Sequence, residues 1–153
     1  MATVVAGTVD VFVLARDGDD WRVLVLQRGG DTRCPGSWET VHGHIDAGEE
    51  PEDAALRELR EETGLAAQRL YSVRVQPIYI VKTHTVHLGV GFAAIVSVNA
   101  RVTLGTEHAA HEWLSPDEAL RRYAWPSERA GLREALELLG GGDAGPLEDV
   151  LRV

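Results

Sequence analysis

The stretch Gly43–Leu65, GHIDAGEEPEDAALRELREETGL, decides the fold of this chain. Pro51 suits the first turn of a helix, where its missing N–H would have no partner, and the acids around it favour the positive end of the helix dipole. Gly64 is typical of the position just past a helix C-terminus, because a left-handed backbone is needed there. The stretch therefore predicts a helix from Pro51 to Thr63.

One face of this predicted helix is acidic. Glu58, Glu61 and Glu62 are spaced i, i+3, i+4 and so share a face, while Leu56 and Leu59 lie beside it as a buried stripe. Like charges at this spacing repel by roughly 0.2–0.5 kcal/mol per pair on an isolated helix. A hard divalent cation with oxygen ligands would offset that repulsion. A solvated acidic face is the alternative, and the spacing alone leaves both open.

The wider pattern resembles a known family. Gly43, then Glu49 six residues on, then Arg57-Glu58-Leu59-x-Glu61-Glu62-x-Gly64-Leu65 match all nine fixed positions of the Nudix box over 23 residues. That box reads G-x5-E-x7-R-E-U-x-E-E-x-G-U, with U a bulky aliphatic residue. The resemblance to Nudix hydrolases implies a single-domain α/β fold, an α/β/α sandwich around a mixed β-sheet. It also implies a Mg²⁺ cofactor, with Mn²⁺ as a substitute, and hydrolysis of a diphosphate linked to another group.

The resemblance assigns metal binding to the acidic face. Hydrolysis of a diphosphate by water attack on phosphorus requires that negative charge on the phosphate oxygens be neutralised and that the water be oriented and deprotonated. Carboxylates that hold Mg²⁺ meet the first two needs. The residues at the family's ligand positions are Glu58, Glu61, Glu62 and, through its backbone carbonyl, Gly43, for which a plain turn glycine is the alternative.

The other box residues receive supporting roles. Arg57 is expected to orient or neutralise the carboxylates as part of the catalytic group, and Glu49 is expected to be its ion-pair partner. Glu49 is therefore assigned a structural role, with metal binding as its alternative, and Gly64 is structural as the residue that ends the helix. The general base of the family is either a box glutamate, here Glu58 or Glu61, or a glutamate on a downstream loop. Glu107 is the downstream candidate, with an exposed loop acid as the alternative.

Four short sequence segments, which extend beyond the box, are similar to those of the dihydroneopterin triphosphate/dATP pyrophosphohydrolase branch of the family. They are VLVLQR at Val23–Arg28, WETVHG at Trp38–Gly43, TEHAAHEWL at Thr106–Leu114 and WPSER at Trp125–Arg129. This narrower resemblance implies a nucleoside or pterin triphosphate substrate, with dATP as a candidate, cleaved to a monophosphate and pyrophosphate. Many family members have Pro-Gly-Gly where this chain has Val41-His42-Gly43, so no subfamily is assigned through that phrase.

Recognition of such a substrate requires cations for the phosphates and a flat apolar surface for the ring. Arg28 follows a predicted strand and faces the loop before the box, which makes it the first phosphate candidate, with Lys82 a second. Trp38 is a candidate for stacking on the ring, and core packing is its alternative. Two other functions remain open: hydrolysis of diphosphate-linked compounds such as nucleotide sugars or ADP-ribose, and non-catalytic nucleotide sensing.

Composition bounds the partners and the cellular compartment. The chain has 153 residues and a formal net charge of −9, which disfavours nucleic acid and anionic membranes as partners. Cys34 is its only cysteine, so a reducing compartment is expected. No signal peptide or membrane span is recognisable. We therefore expect a cytoplasmic protein that takes a small-molecule substrate, with a homodimer as a further expectation.

Patterning along the chain predicts alternating strands and helices. Strands are expected at 4–14, 21–28, 38–41, 70–82 with a bulge or a break at Pro77, 84–98 and 111–114, with a short strand and turn at 99–106. The Val-rich strand at 4–14 is expected to be central in the sheet and to form a hairpin with the strand at 21–28. Ser115 and Pro116 predict a helix start, and a further helix is expected to end at Leu139. The Nudix domain would cover residues 1–139, followed by a glycine-rich tail, 140–153, whose last residues either dock or are disordered.

Overall fold

A seven-stranded mixed sheet forms the centre of the molecule. The computed structural model describes all 153 residues. The strands are β1 (Thr3–Asp17), β2 (Asp20–Arg28), β3 (Trp38–Glu39), β4 (Val41–His44), β5 (Arg69–Ile80), β6 (Thr85–Ile95) and β7 (His108–Leu114). The main order is β3-β2-β1-β6-β5, with β4 paired to β1 and β7 to β2. Only β1 and β6 are parallel, so the predicted mixed sheet is confirmed.

The strand β1 is central, as its Val-rich sequence predicts. It pairs with β2 and β4 along one edge and with β6 along the other. Its segment from Val11 to Ala15 is buried throughout, which suits a strand covered on both faces. The predicted hairpin to β2 is confirmed, with Asp17 paired to Asp20.

Helices cover both faces of the sheet. The helices are α1 (Pro51–Thr63), α2 (Pro116–Arg122), α3 (Pro126–Leu139) and α4 (Glu148–Leu151). On one face, Leu59 of α1 packs with Val9 and Val11 of β1. On the other, Leu132 of α3 packs with Phe12. The two layers of helix around one sheet confirm the α/β/α sandwich. No helix has the length and apolar character needed to cross a membrane.

The ends of α1 fall where the sequence predicts them. Pro51 lies in the first turn, and Gly64 adopts a left-handed conformation with φ of 71°. The Gly64 N–H donates to the Arg60 carbonyl at 2.8 Å, which satisfies one of the free carbonyls at the helix end. At α2, Ser115 and Glu118 form a capping box.

Three local predictions are wrong. No strand forms between Asn99 and Thr106, because this segment runs along the end of α1, where Thr103 N–H donates to the Thr63 carbonyl at 2.8 Å. Pro77 neither breaks β5 nor forms a bulge, since β5 is an edge strand in which a missing N–H is tolerated. The irregularity of β5 lies between Ser72 and Arg74 instead. The single strand expected at 38–41 is two strands, β3 and β4.

The C-terminal tail docks on β5. The buried Tyr71 hydroxyl donates to a Glu148 carboxylate oxygen at 2.7 Å. The Val153 N–H donates to the Leu70 carbonyl at 3.0 Å. The sequence left open whether the last residues dock or are disordered, and the structure shows them docked. The domain boundary after Leu139 stays a prediction.

We expect Tyr71→Phe to lower the free energy of unfolding by about 1–2 kcal/mol, because it removes a buried hydrogen bond to a charged acceptor. Urea unfolding followed by circular dichroism measures this difference. Tyr79→Phe is the matched control, since the Tyr79 side chain is half exposed and its hydroxyl meets only the exposed His84. An unchanged Tyr71→Phe variant would show that the tail contact does not contribute to stability.

Candidate active site

A polar pocket lies between the C-terminal half of α1 and the segment that leads into β7. It has a cavity volume of about 120 Å³ and no apolar lining residue. That volume suits ions, waters and phosphate oxygens rather than a whole nucleotide, since drug-sized ligands occupy roughly 300 Å³ or more. The lining residues are Glu58, Glu61, Glu62, Gly105, Thr106, Glu107 and His108.

The pocket brings Glu107 to the acidic face of α1, as the downstream-base hypothesis requires. The Glu107 loop is held on both sides. Gly29 N–H, just after β2, donates to the Glu107 carbonyl at 2.9 Å, and Gly105 N–H donates to the Glu62 carbonyl at 3.2 Å. Gly105 is needed for this approach, because a Cβ there would come 2.7 Å from the Glu61 carbonyl oxygen.

The three carboxylates of α1 differ in their exposure. The Glu61 side chain is 57% exposed and that of Glu58 only 13%, while Glu62 is buried. Burial, with the neighbouring Glu58 charge, raises the pKa of Glu62 to about 9. Burial likewise raises the pKa of Glu58, although the Arg57 guanidinium opposes this shift. The protein by itself therefore disfavours the ionised forms of Glu62 and Glu58, and a cation bound in the pocket would favour them.

This donor set fits a hard divalent cation. Four of its seven lining residues are glutamates, whose carboxylate oxygens are the ligands that Mg²⁺ and Mn²⁺ prefer. Glu62 accepts only one hydrogen bond, from the His42 N–H at 3.3 Å, so no side chain supplies a counterion for its ionised form. The carboxylates share the pocket but do not converge on one point, and no group of three acids, histidines or cysteines is close enough to hold one ion.

Arg57 ties the box loop to α1. Its guanidinium donates to both oxygens of Glu49, each at 2.9 Å, which is the ion pair expected from the sequence. It also donates to Glu58 at 2.7 Å and to the His44 carbonyl at 2.8 Å. The Arg57 guanidinium lowers the pKa of Glu49 to about 2. Arg57 thus orients Glu58 toward itself while it holds the end of β4.

Gly43 lies in β4, where it pairs with Val9 of β1. A Cβ added at Gly43 would overlap the Glu58 carboxylate. The glycine therefore serves geometry, because it lets the Glu58 side chain lie directly against the β4 backbone.

We expect Gly43→Ala to displace the Glu58 carboxylate and to reduce turnover by about 10–100-fold, the cost typical of disturbing the groups that orient a metal ligand. Steady-state kinetics as a function of Mg²⁺ concentration measures this loss. Gly30→Ala is the matched control, because a Cβ at Gly30 meets no atom within 4 Å. Equal rates for Gly43→Ala and wild type would contradict this account of Gly43.

A buried charged network, which no local sequence pattern indicates, lies beside the pocket. One oxygen of Glu39 accepts from Arg28 and lies 2.8 Å from the His108 ring nitrogen Nε2. Burial alone would raise the pKa of Glu39, but hydrogen bonds from His108 and Arg28 hold it below its ordinary value. Arg28 is the first candidate for phosphate binding, but its guanidinium already donates hydrogen bonds to Glu39 and to the Arg33 carbonyl.

We expect Glu39→Gln to lower the free energy of unfolding by about 3 kcal/mol at pH 7, because it leaves the largely buried Arg28 without its counterion. An acid whose pKa is lower in the folded state than in the unfolded state stabilises the protein at pH values above its unfolded-state pKa. This stabilisation is lost as the pH falls through the folded-state pKa. The difference between wild type and Glu39→Gln should therefore shrink below about pH 4.5. Urea unfolding at pH 7 and pH 4 measures it.

Glu112→Gln is the control for that comparison. Glu112 pairs with Arg122 at the surface, so its loss should change the free energy of unfolding by less than about 1 kcal/mol. A difference between wild type and Glu39→Gln that stays constant with pH would contradict the assignment of the lowered pKa to Glu39.

Two predicted substrate-binding residues lie away from the pocket. Trp38 packs on the sheet face that α2 and α3 cover, with the Arg122 guanidinium 4.7 Å from its ring centroid. Lys82 lies in the turn Val81–Thr83, just before Thr85, which pairs with Thr3. Since Gly43 pairs with Val9, this turn is about 20 Å from the box along β1. The structure does not bring Trp38 or Lys82 to the acidic residues.

A profile of the NUDIX domain matches residues 6–135. The chain belongs to the NUDIX family. The family resemblance inferred from the box is thereby confirmed, and the matched range contains the box, Glu107 and the Glu39 network.

Characterised relatives support the enzyme class expected from the box, a pyrophosphohydrolase. The chain is 30% identical to the dihydroneopterin triphosphate diphosphatase of Escherichia coli K12 over 136 residues, which cover 80% of this chain and 88% of that protein. It is 31% identical to the mouse asymmetrical bis(5'-nucleosyl)-tetraphosphatase over 105 residues, 67% of this chain and 71% of the relative.

Two further similarities concern the domain as a whole. An octanoyltransferase of Myxococcus xanthus is 36% identical over 140 residues, but the match spans 85% of this chain and only 35% of that protein. The crystal structure of a NUDIX hydrolase from Listeria monocytogenes superimposes with a TM-score of 0.74 at 26% identity, covering 89% of this chain and 95% of the other. The NUDIX fold accounts for nearly the whole chain.

Proposed function

We propose that this chain is a Mg²⁺-dependent NUDIX hydrolase that cleaves a nucleoside or pterin triphosphate to a monophosphate and pyrophosphate. The observation that carries the proposal is the pocket in which Glu107 joins Glu58, Glu61 and Glu62. A site with four carboxylates and no apolar lining is suited to neutralising and hydrolysing phosphate groups with the help of a cation.

Within this proposal, Glu58, Glu61, Glu62 and the Gly43 carbonyl would hold Mg²⁺, with Mn²⁺ as a substitute. The bound ion would supply charge neutralisation at the phosphate oxygens. Arg57 keeps Glu58 oriented and limits the repulsion among the acids through its contact with Glu61 at 3.4 Å. Glu107, across the pocket from α1, accepts a proton from the attacking water, and Glu58 and Glu61 are the alternative bases.

The substrate class rests on both the sequence and the relatives. The similarity to a dihydroneopterin triphosphate diphosphatase covers most of both chains, and the four short sequence segments point to the same branch, with dATP as a further candidate. The proposal includes a small-molecule substrate rather than nucleic acid, a cytoplasmic location and a homodimer. The net charge of −9 and the single cysteine support the first two of these features.

Hydrolysis of a dinucleoside polyphosphate or another diphosphate-linked compound is the second candidate. The similarity to the mouse bis(5'-nucleosyl)-tetraphosphatase favours it, and the box chemistry would be the same. Nucleotide sugars and ADP-ribose belong to this class. A non-catalytic sensor is disfavoured, because every carboxylate of the box is retained.

A hydrolysis screen with and without Mg²⁺ tests the proposal. The substrates are dATP, dihydroneopterin triphosphate, diadenosine tetraphosphate, ADP-ribose and a nucleotide sugar, with phosphate and pyrophosphate assayed separately. Pyrophosphate and a monophosphate from a triphosphate would support the first candidate. Turnover confined to diphosphate-linked compounds would support the second. Nucleotide binding without any turnover would contradict both and support a sensor.

A further inference from the structure

The sheet extends beyond the box as a three-stranded arm with an apolar face. In this arm the first residues of β1 pair with β6, and β6 pairs with β5. Eleven large apolar side chains of the molecule are exposed, and six of them lie in this arm: Val4, Val5, Val75, Ile78, Tyr79 and Val81. Val4 and Tyr79 lie in one cross-strand row, while Val5 and Ile78 lie in the adjacent row on the opposite face. A concentration of exposed apolar side chains on one part of a surface marks an interaction site.

The register assigns these side chains to faces. Val4 is opposite Val86, which is opposite Tyr79, and two residues further along Ala6, Leu88 and Pro77 form a second row. Residues two apart on a strand share a face. Leu88 is therefore on the same side as Phe92, which packs in the core beneath α1. We call the surface formed by these two rows the arm face: Val4, Ala6, Pro77, Tyr79, Val86 and Leu88.

The arm face carries no charged residue, in a chain with a net charge of −9. None of the 24 acids lies before Asp10 or between Glu62 and Glu107, and the whole arm falls within these two stretches. The Tyr79 hydroxyl, 3.1 Å from the His84 ring, is the only polar side-chain group on the face. The face therefore offers nothing to phosphate groups or to a charged peptide.

We propose that the arm face is the interface of a homodimer, with a second copy of this chain as its occupant. A two-fold axis brings a surface against itself, so two strongly acidic copies can meet closely only where neither carries acid. The arm face meets this condition and is apolar, as homodimer interfaces are. The proposal identifies a surface and does not depend on the substrate of the enzyme.

Sedimentation-velocity measurements over a range of protein concentrations test the proposal. The wild type should sediment as a dimer of the 16.7 kDa chain at micromolar concentration. Tyr79→Glu should shift it to monomer. Ile78→Glu is the matched control: Ile78 is the adjacent residue of β5 and is equally exposed, at 49% against 50% for Tyr79, but it points to the opposite face. This control should remain dimeric.

The outcomes distinguish a dimer that forms through the arm face from a dimer that forms through another surface. Added salt should strengthen the wild-type dimer, since it screens the repulsion between the acidic bodies. A monomeric wild type at all concentrations would overturn the proposal, as would a monomer that binds phosphatidylcholine vesicles instead. Dissociation of Ile78→Glu together with Tyr79→Glu would also overturn the assignment to this face. Circular dichroism confirms that each variant is folded, and none of these readings depends on hydrolysis.

Discussion

Glu62→Gln should abolish turnover and leave a protein that is at least as stable as the wild type when both are free of metal. Disturbing groups that merely orient a metal ligand costs about 10–100-fold, so loss of a ligand should reduce kcat by at least about 100-fold. The stability follows from burial. Glu62 has a folded pKa of about 9 against an ordinary 4.5, so it destabilises the fold increasingly as pH rises from 4.5 towards 9. Glutamine has no such penalty.

Kinetics and thermal unfolding at pH 8 test both halves of this expectation. In EDTA the Glu62→Gln variant should have a melting temperature equal to or above that of the wild type. Addition of Mg²⁺ should raise the wild-type value by mass action and raise that of the variant less. Wild-type turnover in Glu62→Gln would contradict the metal-ligand assignment. A strongly destabilised variant in EDTA would contradict the burial of an uncompensated charge at this position.

Glu107→Gln should lower kcat while leaving the Mg²⁺ dependence in place. A positioned general base contributes about 10²–10⁴-fold to a rate, and Glu107 lies across the pocket from α1 rather than among the proposed metal ligands on that helix. The amide preserves the shape of the side chain but cannot accept a proton from water. Steady-state kinetics over a range of Mg²⁺ concentrations distinguishes a loss of kcat from a loss of metal affinity.

Glu112→Gln provides the comparison for Glu107→Gln, because Glu112 is an acid of the same strand region that pairs with Arg122 at the surface. Its kinetic constants should equal those of the wild type. A kcat of Glu107→Gln within a factor of two of the wild type would transfer the role of base to Glu58 or Glu61.

The box helix could be predicted from sequence because its signals are local. Pro51 and Gly64 mark both ends through backbone geometry, and the spacing of the three glutamates fixes a common face whatever lies around it. The same holds for β1, β2 and the capped start at Ser115. Glu107 was also predicted, although only the resemblance, and not any local pattern, connected it with α1.

The rest depends on contacts between distant parts of the chain. From the sequence, Glu39 is simply an acid in a short predicted strand. Nothing near it in sequence indicates that Arg28 and His108 will contact it. Trp38 and Lys82 suited a nucleotide by residue type, but the side on which a strand presents Trp38 and the length of the β5–β6 hairpin that carries Lys82 are set by sheet register. The expected strand at 99–106 failed because its backbone groups bond to the end of α1 instead.

The most direct test of the central claim, hydrolysis of a phosphoanhydride by water with the help of a divalent cation, is a reaction in H₂¹⁸O. The substrate found in the screen is incubated with enzyme and Mg²⁺ or with enzyme and EDTA, and the products are analysed by mass spectrometry. We predict one ¹⁸O atom in one of the two phosphate-containing products with Mg²⁺, and no reaction with EDTA. Products without ¹⁸O, or equal turnover in EDTA, would contradict this account.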